Sequence, residues 1–247
     1  MCKVKLISYT PNSEKVVAMA AKLCYSKCNI SEIEENLSDL DVQTFIKMLV
    51  KLGHESPFEH ISFTFGIENI SRACMAQITR HRIASYSVKS QRYVQESEFN
   101  YIIPPEIEKI PQAREVFLES IISSQSCYNK IVDILKVNYK ITIGLDKNSH
   151  EKKSIEDARF VLPNACETKM ICTFNARSLF NFFKHRCCSR AQWEIRELAT
   201  KMLKLVRKIA PNIFENCGPS CVNGVCKEGK MTCGKNIEIR EIFKNLC

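Results

Sequence analysis

The chain has 247 residues, of which 36 are Lys or Arg and 27 are Asp or Glu, so its formal net charge is +9. Hydrophobic residues make up 45% and charged residues 26% of the sequence. This balance excludes a disordered or fibrous protein and predicts a soluble globular one. The sequence contains no run of about 18 apolar residues that could form a membrane span. The excess positive charge therefore predicts an anionic partner in water, such as a nucleic acid, a nucleotide or a polyanionic cofactor.

Fourteen cysteines are many for a chain of this length. The first residues alternate charged and apolar side chains, as in Met1-Cys2-Lys3-Val4-Lys5, and do not form the apolar segment of a secretory signal. We therefore expect a cytoplasmic protein whose thiols are reduced, and not a framework of disulfides.

The first predicted elements are two strands with two helices between them. Residues 2–9 alternate apolar and charged side chains and predict a strand. One helix follows Pro11, and a second runs from about Ser38 to Gly53, a residue type that often ends helices. Residues 61–67 alternate with period two and are rich in β-forming side chains, which predicts a half-buried strand.

The elements of the second half are mostly helical. A long stretch with few helix breakers follows Pro105 and predicts one or two helices that end near Gly144. We then expect an exposed charged loop at 147–153, a short helix at 155–162, a strand at 170–174 and helices from 176 to about 216. Because strands and helices mix without a regular βαβ order, the sequence predicts an α+β fold, with a small, mostly antiparallel sheet packed against long helices.

Acidic residues are absent from two basic stretches, 69–95 and 168–193. Arginine offers a rigid fork of donors that matches the oxygens of phosphate and other planar anions. Within the first stretch, residues 80–93 alternate cations with five Ser and Tyr hydroxyls, a composition suited to phosphates and base edges. A solvated basic loop is the alternative, since runs of charge usually face water.

Residues 54–60 place two histidines and two glutamates in a predicted turn. A metal site would use His54, His60 and one glutamate. The spacing does not fit a helical pair of ligands, and Pro57 interrupts regular structure. We therefore favour histidines that donate hydrogen bonds to a ligand or are satisfied in the core.

Several motifs resemble those of one family. Arg80-His81-Arg82, followed after seven residues by Ser90, is similar to the R-H-R-x7-S signature of the flavin-dependent thymidylate synthases. The turn at 54–60 resembles the family's flavin-side turn, and residues 175–179 and 186–194 resemble its other two signature stretches. The correspondence runs in the same order from about residue 3 to residue 214.

The resemblance implies a homotetramer with active sites at subunit interfaces, which binds FAD, dUMP, methylenetetrahydrofolate and NADPH and makes dTMP. It implies no metal, membrane or nucleic-acid partner. His54 would lie near the flavin ring, where the folate stacks. The residues implied to hold FAD are His54, Ser56, Arg80, His81, Arg82, Asn175, Arg177 and Asn181. The residues implied to hold dUMP are Gln77, Ser90, Gln91, Arg92, Arg159 and Arg186.

Two points of this assignment stay open in the sequence. Ser87 and Val88 stand where relatives often carry Asn and Glu, so the polar contact that an acid could supply there is in question. For Arg159, an ordinary surface ion pair with Glu156 or Glu151 is the alternative to a nucleotide contact.

Methylation at C5 of uracil requires that carbon to become electron-rich. A thiolate could add to the ring, and Cys187 and Cys188 stand beside cations that would lower a thiol pKa. The resembled mechanism needs no protein thiol. A guanidinium at the pyrimidine edge would instead stabilise negative charge on the N3/O2 side, and Arg186 is our candidate for this catalytic role.

Residues 217–247 form a cysteine-rich tail, and we expect residues 1–216 to form the flavin-dependent thymidylate synthase domain. Cys217, Cys221, Cys226 and Cys233 are spaced irregularly among glycines. The pattern fits a zinc knuckle, unliganded thiols or a redox pair. A basic nucleic-acid-binding protein with a C-terminal zinc knuckle is the alternative function.

Overall fold

The computed structural model describes residues 1–142 and 147–246. Contacts within it divide the chain into two compact units, each assembled from separate stretches of sequence. Unit 1 comprises Met1, Asn69–Ala76 and Val88–Met170, and unit 2 comprises Cys2–Glu68, Gln77–Ser87 and Ile171–Cys247. The division into residues 1–216 and 217–247 stays a prediction.

The strands are β1 (Lys3–Tyr9), β2 (Ser62–Ser71), β3 (Ser85–Val88) and β4 (Glu167–Asn175). They form one sheet in the order β1-β2-β4-β3. β1 and β2 are antiparallel, with Val4 opposite Ile67 and Leu6 opposite Phe65. Phe63, Phe65 and Ile67 are buried because successive side chains of a strand point to opposite faces. The three strands predicted from the sequence are confirmed, whereas β3 was not predicted.

Eleven α-helices lie within the described residues. They are α1 (Ser13–Leu23), α2 (Ile30–Glu35), α3 (Asp39–Leu52), α4 (Arg72–Ile78), α5 (Pro105–Glu108), α6 (Pro111–Thr142), α7 (Lys147–Ala158), α8 (Ala176–Arg186), α9 (Trp193–Ile209), α10 (Pro211–Phe214) and α11 (Asn236–Lys244). The predicted α+β class, with a small antiparallel sheet, is confirmed. In the part of the chain that the structure describes, no helix has the length and apolar character needed to span a membrane.

The helix predicted from Ser38 to Gly53 is confirmed as α3, and its ends have physical causes. The Ser38 hydroxyl accepts from the backbone N–H of Asp41, and the Asp41 carboxylate accepts from the N–H of Ser38, so the two residues satisfy each other at the start of the helix. At the other end Gly53 takes a left-handed φ of 73°, which a glycine adopts without steric cost.

Unit 2 is built around packed aromatic rings. The ring centroid of Phe214 lies 5.4 Å from that of Phe63 and 5.6 Å from that of Phe180, both in edge-to-face geometry. Phe182 and Phe183 of α8 are also buried, so this face of α8 is anchored in the core. The anchored helix leaves other positions, such as Arg177, exposed for function.

Unit 1 contains the long helix α6, which packs against α7. Tyr128 and Val132 of α6 form a buried cluster with Ala158, the last residue of α7. The prediction of an exposed loop at 147–153 is therefore wrong: these residues begin α7, because a narrow stripe of apolar and small side chains at its end is enough to attach it to α6. The predicted helix end near Gly144 lies outside the described residues.

Arg207 of α9 joins the cysteine-rich tail to the rest of unit 2. Arg207 donates from Nη1 to the carbonyl oxygens of Phe243 at 2.6 Å and Leu246 at 3.0 Å, and from Nη2 to that of Cys217 at 2.9 Å. Its Nε donates to the carbonyl of Phe214 at 3.0 Å. One guanidinium therefore contacts backbone carbonyls at the start and at the end of the tail.

Candidate active site

The central feature of the site in unit 2 is the guanidinium of Arg186, the last residue of α8. The helix begins at Asn175, whose side-chain oxygen accepts from the N–H of Ser178 at 2.8 Å. At the other end, Arg186 Nε donates to His81 Nε2 at 3.0 Å, and Nη2 donates to the carbonyl of Gln77 at 3.2 Å. Arg186 is thus brought together with two predicted site residues, His81 and Gln77, that lie 105 and 109 positions earlier in the sequence.

His81 is a neutral acceptor in this arrangement. Burial, and then the positive charges of Arg186 and His185, lower the pKa of His81 to about 4. The ring is held edge-to-face against Phe182, with centroids 4.9 Å apart. Because His81 is uncharged near pH 7 and the Gln77 partner is a carbonyl, neither of these contacts cancels the positive charge of Arg186.

Tyr86 is a residue of this site that the sequence did not single out. Its hydroxyl lies 2.9 Å from the carbonyl of Ile78 and 2.8 Å from that of His81, both acceptors for its proton. The phenol therefore supports the backbone just before and within the Arg80-His81-Arg82 motif. The hydroxyl-rich composition of residues 80–93 was the available signal, but it indicated ligand contacts and not this internal support.

All eight residues implied to hold FAD lie in unit 2. Arg80 and Arg82 are exposed, and no side-chain hydrogen bond or ion pair joins either of them to another described residue. Arg177 differs, because its guanidinium pairs with Glu55 at 3.4 Å and also with Glu59. These pairs connect α8 to the turn at 54–60.

The other residues implied to hold FAD also lie in unit 2. His54 follows α3 and is exposed, and Ser56 begins a short 3-10 helix that runs from Ser56 to His60. Asn181 lies one turn after Arg177 on α8 and is exposed as well. The structure therefore places polar and cationic side chains from the turn, the Arg80-His81-Arg82 motif and α8 within one unit.

Four of the residues implied to hold dUMP, namely Ser90, Gln91, Arg92 and Arg159, lie in unit 1, whereas Gln77 and Arg186 lie in unit 2. Arg92 makes a two-point pair with Glu156: Nε lies 2.9 Å from one carboxylate oxygen and Nη2 donates to the other at 3.0 Å. The Ser90 hydroxyl accepts from the N–H of Arg92 at 3.1 Å. Gln91 is buried, with its amide nitrogen 3.5 Å from the sulfur of Cys166.

Arg159 does not form the ion pair that was the alternative explanation for it. Glu156 is engaged by Arg92 instead, and among the described residues Arg159 has no carboxylate partner. Its guanidinium lies 6.0 Å from the ring centroid of Phe160. Burial, and the positive charge of Arg159, lower the pKa of the nearby Arg72. The charges of Arg72 and Arg159 therefore interact within unit 1.

The Cys187 thiol beside Arg186 is not activated as its basic neighbours suggested. Cys187 is buried, and this burial raises its pKa to about 12. The expectation that adjacent cations lower the pKa of this thiol is therefore wrong, because the cost of desolvating a thiolate outweighs them. Cys187 is a neutral thiol near pH 7.

The tail thiols separate into different environments. Burial raises the pKa of Cys217 to about 12, whereas the pKa of Cys221 is raised by burial and then by Cys226, Cys188 and Cys233. Within residues 1–142 and 147–246, no group of three or more His, Cys, Asp or Glu side chains is arranged to hold a metal ion. The nucleic-acid-binding alternative thus has no formed metal centre in the described chain.

Comparison with known proteins defines the class. A family model described as "Thymidylate synthase complementing protein" matches residues 5–212. A flavin-dependent thymidylate synthase of Clostridium tetani is 57% identical over 241 residues, covering 98% of this chain and 96% of that protein. One from Geobacter sulfurreducens is 46% identical over 246 residues, covering 99% of each. One from Saccharolobus solfataricus is 39% identical over 250 residues, covering 99% of this chain and 87% of the relative. The chain belongs to the flavin-dependent thymidylate synthase family.

Proposed function

We propose that the chain catalyses the reductive methylation of dUMP to dTMP, with methylenetetrahydrofolate as the carbon donor and NADPH as the reductant through FAD. The observation that carries this proposal is the Arg186 guanidinium, fixed by a neutral histidine and a backbone carbonyl. Because a guanidinium keeps its positive charge at physiological pH, Arg186 can stabilise negative charge that develops on the N3/O2 side of uracil. We assign it as the catalytic residue.

The residues of unit 2 fit a flavin dinucleotide. The exposed guanidinium groups of Arg80 and Arg82, which have no carboxylate partner among the described residues, suit the oxygens of a pyrophosphate. His54, Ser56, His81, Asn175, Arg177 and Asn181 supply the remaining polar contacts. When bound, FAD would supply the electrons that convert the transferred carbon unit to a methyl group.

The residues of unit 1 suit the phosphate of dUMP. Arg92 and Arg159 offer two guanidinium groups, and Ser90 and Gln91 flank Arg92 with a hydroxyl and an amide. The pair between Arg92 and Glu156 is partly exposed, with 43% and 33% of the two side chains accessible. Partly exposed pairs contribute only about 0–1 kcal/mol, so a phosphate can replace Glu156 at little cost.

No cysteine nucleophile is required in this mechanism. Cys187 is a neutral, buried thiol, and a thiol attacks carbon only as its thiolate. Activation of uracil therefore depends on the charge of Arg186 and not on covalent addition to the ring.

We also propose a cytoplasmic homotetramer with sites at subunit interfaces. Ile134, Val137 and Ile141 are 67%, 58% and 77% exposed at helical spacing on α6, and such apolar side chains are usually covered by a partner. Light scattering on the purified chain tests this assembly: four chains per particle are expected, and a monomer would contradict it.

The proposed activity is tested by a visible spectrum and by product analysis. The purified chain, reconstituted with FAD, should show flavin absorbance that NADPH bleaches, and should convert dUMP to dTMP only when methylenetetrahydrofolate is present. A colourless protein that forms no dTMP, and instead binds oligonucleotides with strong salt dependence, would favour the nucleic-acid-binding alternative.

A further inference from the structure

The segment from Lys89 to Glu96 in unit 1 is closed by an ion pair. Glu96 is the first acidic residue after the acid-free stretch 69–95. Lys89 Nζ lies 2.8 Å from each of its carboxylate oxygens. Only 4% of the Glu96 side chain and 26% of the Lys89 side chain are exposed. A carboxylate this buried requires a partner, so the pair is a fixed feature of the folded unit.

Both ends of the segment are also attached to other elements. The N–H of Lys89 donates to the carbonyl of Lys169 in β4 at 2.9 Å. The N–H of Glu96 donates to the hydroxyl of Tyr128 at 3.1 Å, and Gln125 donates to the carbonyl of Glu96 at 2.9 Å. Tyr128 is fully buried in α6. The ion pair therefore links a strand end to the long helix and fixes the distance between the two ends of the segment.

Three implied dUMP ligands lie between these ends: Ser90, Gln91 and Arg92. Inside the closed segment, the carbonyl of Ser90 accepts from the N–H of Val94 at 3.2 Å, in addition to the bond from Arg92 to the Ser90 hydroxyl. The pair also neutralises the charge of Lys89, so Lys89 has a structural role in the segment. Arg92 remains the cation of the segment that can bind a phosphate.

We propose that Glu96 is a positioning residue for the nucleotide: its ion pair with Lys89 holds residues 90–92 in the arrangement that binds the phosphate of dUMP. This inference rests on the proposed function. Without the pair, the segment samples open arrangements, and the affinity for dUMP falls in proportion to the loss of the competent population.

The test compares Glu96→Gln with the unchanged enzyme, both loaded with FAD. If the competent population falls to about a tenth, the KM for dUMP rises about tenfold. The kcat at saturating dUMP, the KM for NADPH and the flavin spectrum should stay within about twofold, since Arg186 and the implied flavin residues are untouched. Lys89→Arg keeps the charge and can contact both carboxylate oxygens, so it should retain the original KM for dUMP.

A matched control separates positioning from general loss of stability. Glu197→Gln breaks the Lys201–Glu197 pair of unit 2, which has an N–O distance of 2.6 Å and a Glu side chain that is 24% exposed. It should lower thermal stability without changing the KM for dUMP. If Glu96→Gln leaves that KM unchanged, or raises the KM for NADPH and dUMP equally, the positioning role is wrong.

A double variant keeps the test decisive if Glu96→Gln does not fold. Lys89→Met combined with Glu96→Leu replaces the pair by apolar side chains of similar volume, an exchange that folded proteins often tolerate. It should fold, bind FAD and show weakened binding of dUMP in titration calorimetry. Binding of dUMP equal to that of the unchanged enzyme would overturn the inference. If the unchanged enzyme retained FAD but neither bound dUMP nor formed dTMP, the proposed function itself would fail.

Discussion

Arg92 in unit 1 and Arg186 in unit 2 are both implied to hold the nucleotide, but their surroundings differ. Arg92 is matched by a full carboxylate, that of Glu156, through two short contacts. Arg186 is held by His81, a neutral imidazole, and by a backbone carbonyl. The charge of Arg92 is therefore balanced by Glu156 until another anion replaces that carboxylate. The two contacts described for Arg186 orient its guanidinium through neutral groups.

This difference corresponds to the two parts of dUMP that the arginines would contact, the phosphate and the uracil ring. A phosphate is already an anion, and it can replace a carboxylate in an exchange of similar partners. The uracil ring is neutral, and a guanidinium held at its edge stabilises the negative charge that develops on it.

The largest expected effect comes from removing the Arg186 guanidinium. Arg186→Ala should abolish measurable dTMP formation, since loss of one such stabilising donor costs about a hundredfold to a thousandfold in rate. Flavin absorbance should persist, because all of the implied FAD ligands remain. Turnover is followed by product analysis with saturating dUMP. Normal turnover of Arg186→Ala would show that the two arginines do not differ in the way described.

The second expected effect is a loss of stability at acidic pH, caused by protonation of His81. Its pKa of about 4 in the folded chain is lower than its usual value of 6.5, so the unfolded chain takes up the proton first as pH falls. Stability is therefore fully present above about pH 6.5 and is lost between that pH and about pH 4. Allowing for partial solvent exposure, we expect a loss of about 1 kcal/mol between pH 7 and pH 5.

Urea unfolding at the two pH values measures this loss, with His81→Gln as the control. Glutamine can accept from Arg186 but does not titrate, so the variant should lose less stability between pH 7 and pH 5 than the original chain. Equal losses in the two proteins would mean that His81 is not the group that titrates.

A smaller effect is expected when the ion pair between Arg92 and Glu156 is removed. Glu156→Gln removes the compensating charge, so dUMP no longer has to replace a carboxylate. Because the pair is partly exposed and contributes little to folding, the Kd for dUMP should fall by up to about fivefold, while thermal stability changes little. Weaker binding of dUMP in calorimetry would instead indicate that Glu156 orients Arg92 for the phosphate.

The smallest effect is expected from the thiols next to Arg186. Cys187→Ala combined with Cys188→Ala should leave the rate of dTMP formation within a few-fold of the original, because the buried Cys187 thiol is not ionised near pH 7. A complete loss of activity in a folded, flavin-loaded protein would restore the covalent mechanism and remove the special role of Arg186.

Local patterns predicted much of the fold. Strict alternation identified β2, and the Ser38 cap together with Gly53 bounded α3. The charged residues at 147–153 misled the prediction because α7 carries mostly charged and polar side chains, and buried contacts such as that of Ala158 with Tyr128 and Val132 are enough to attach it to α6. Composition alone does not distinguish such a helix from a loop.

The site was less predictable from the residues themselves. Arg186 and His81 were assigned through the family motifs, since spacing along the chain carries no sign of a contact between residues so far apart. The acid-free stretches correctly indicated clusters of cations but did not reveal which carboxylates pair with them. Arg177 pairs with Glu55 and Glu59, and Lys89 pairs with Glu96. All three glutamates lie outside the stretch that holds the cation. A stretch of sequence without acidic residues can therefore still acquire carboxylate partners from elsewhere in the folded chain.

The contact between Arg186 and His81 also offers a built-in spectroscopic probe. Because Nε2 accepts from the guanidinium, the proton of the neutral ring must reside on Nδ1, and the two imidazole nitrogens become distinguishable by nitrogen NMR. Any movement of Arg186 during a catalytic cycle would change the Nε2 signal without changing the protonation state. A single labelled histidine could therefore report where the Arg186 guanidinium points, independently of turnover.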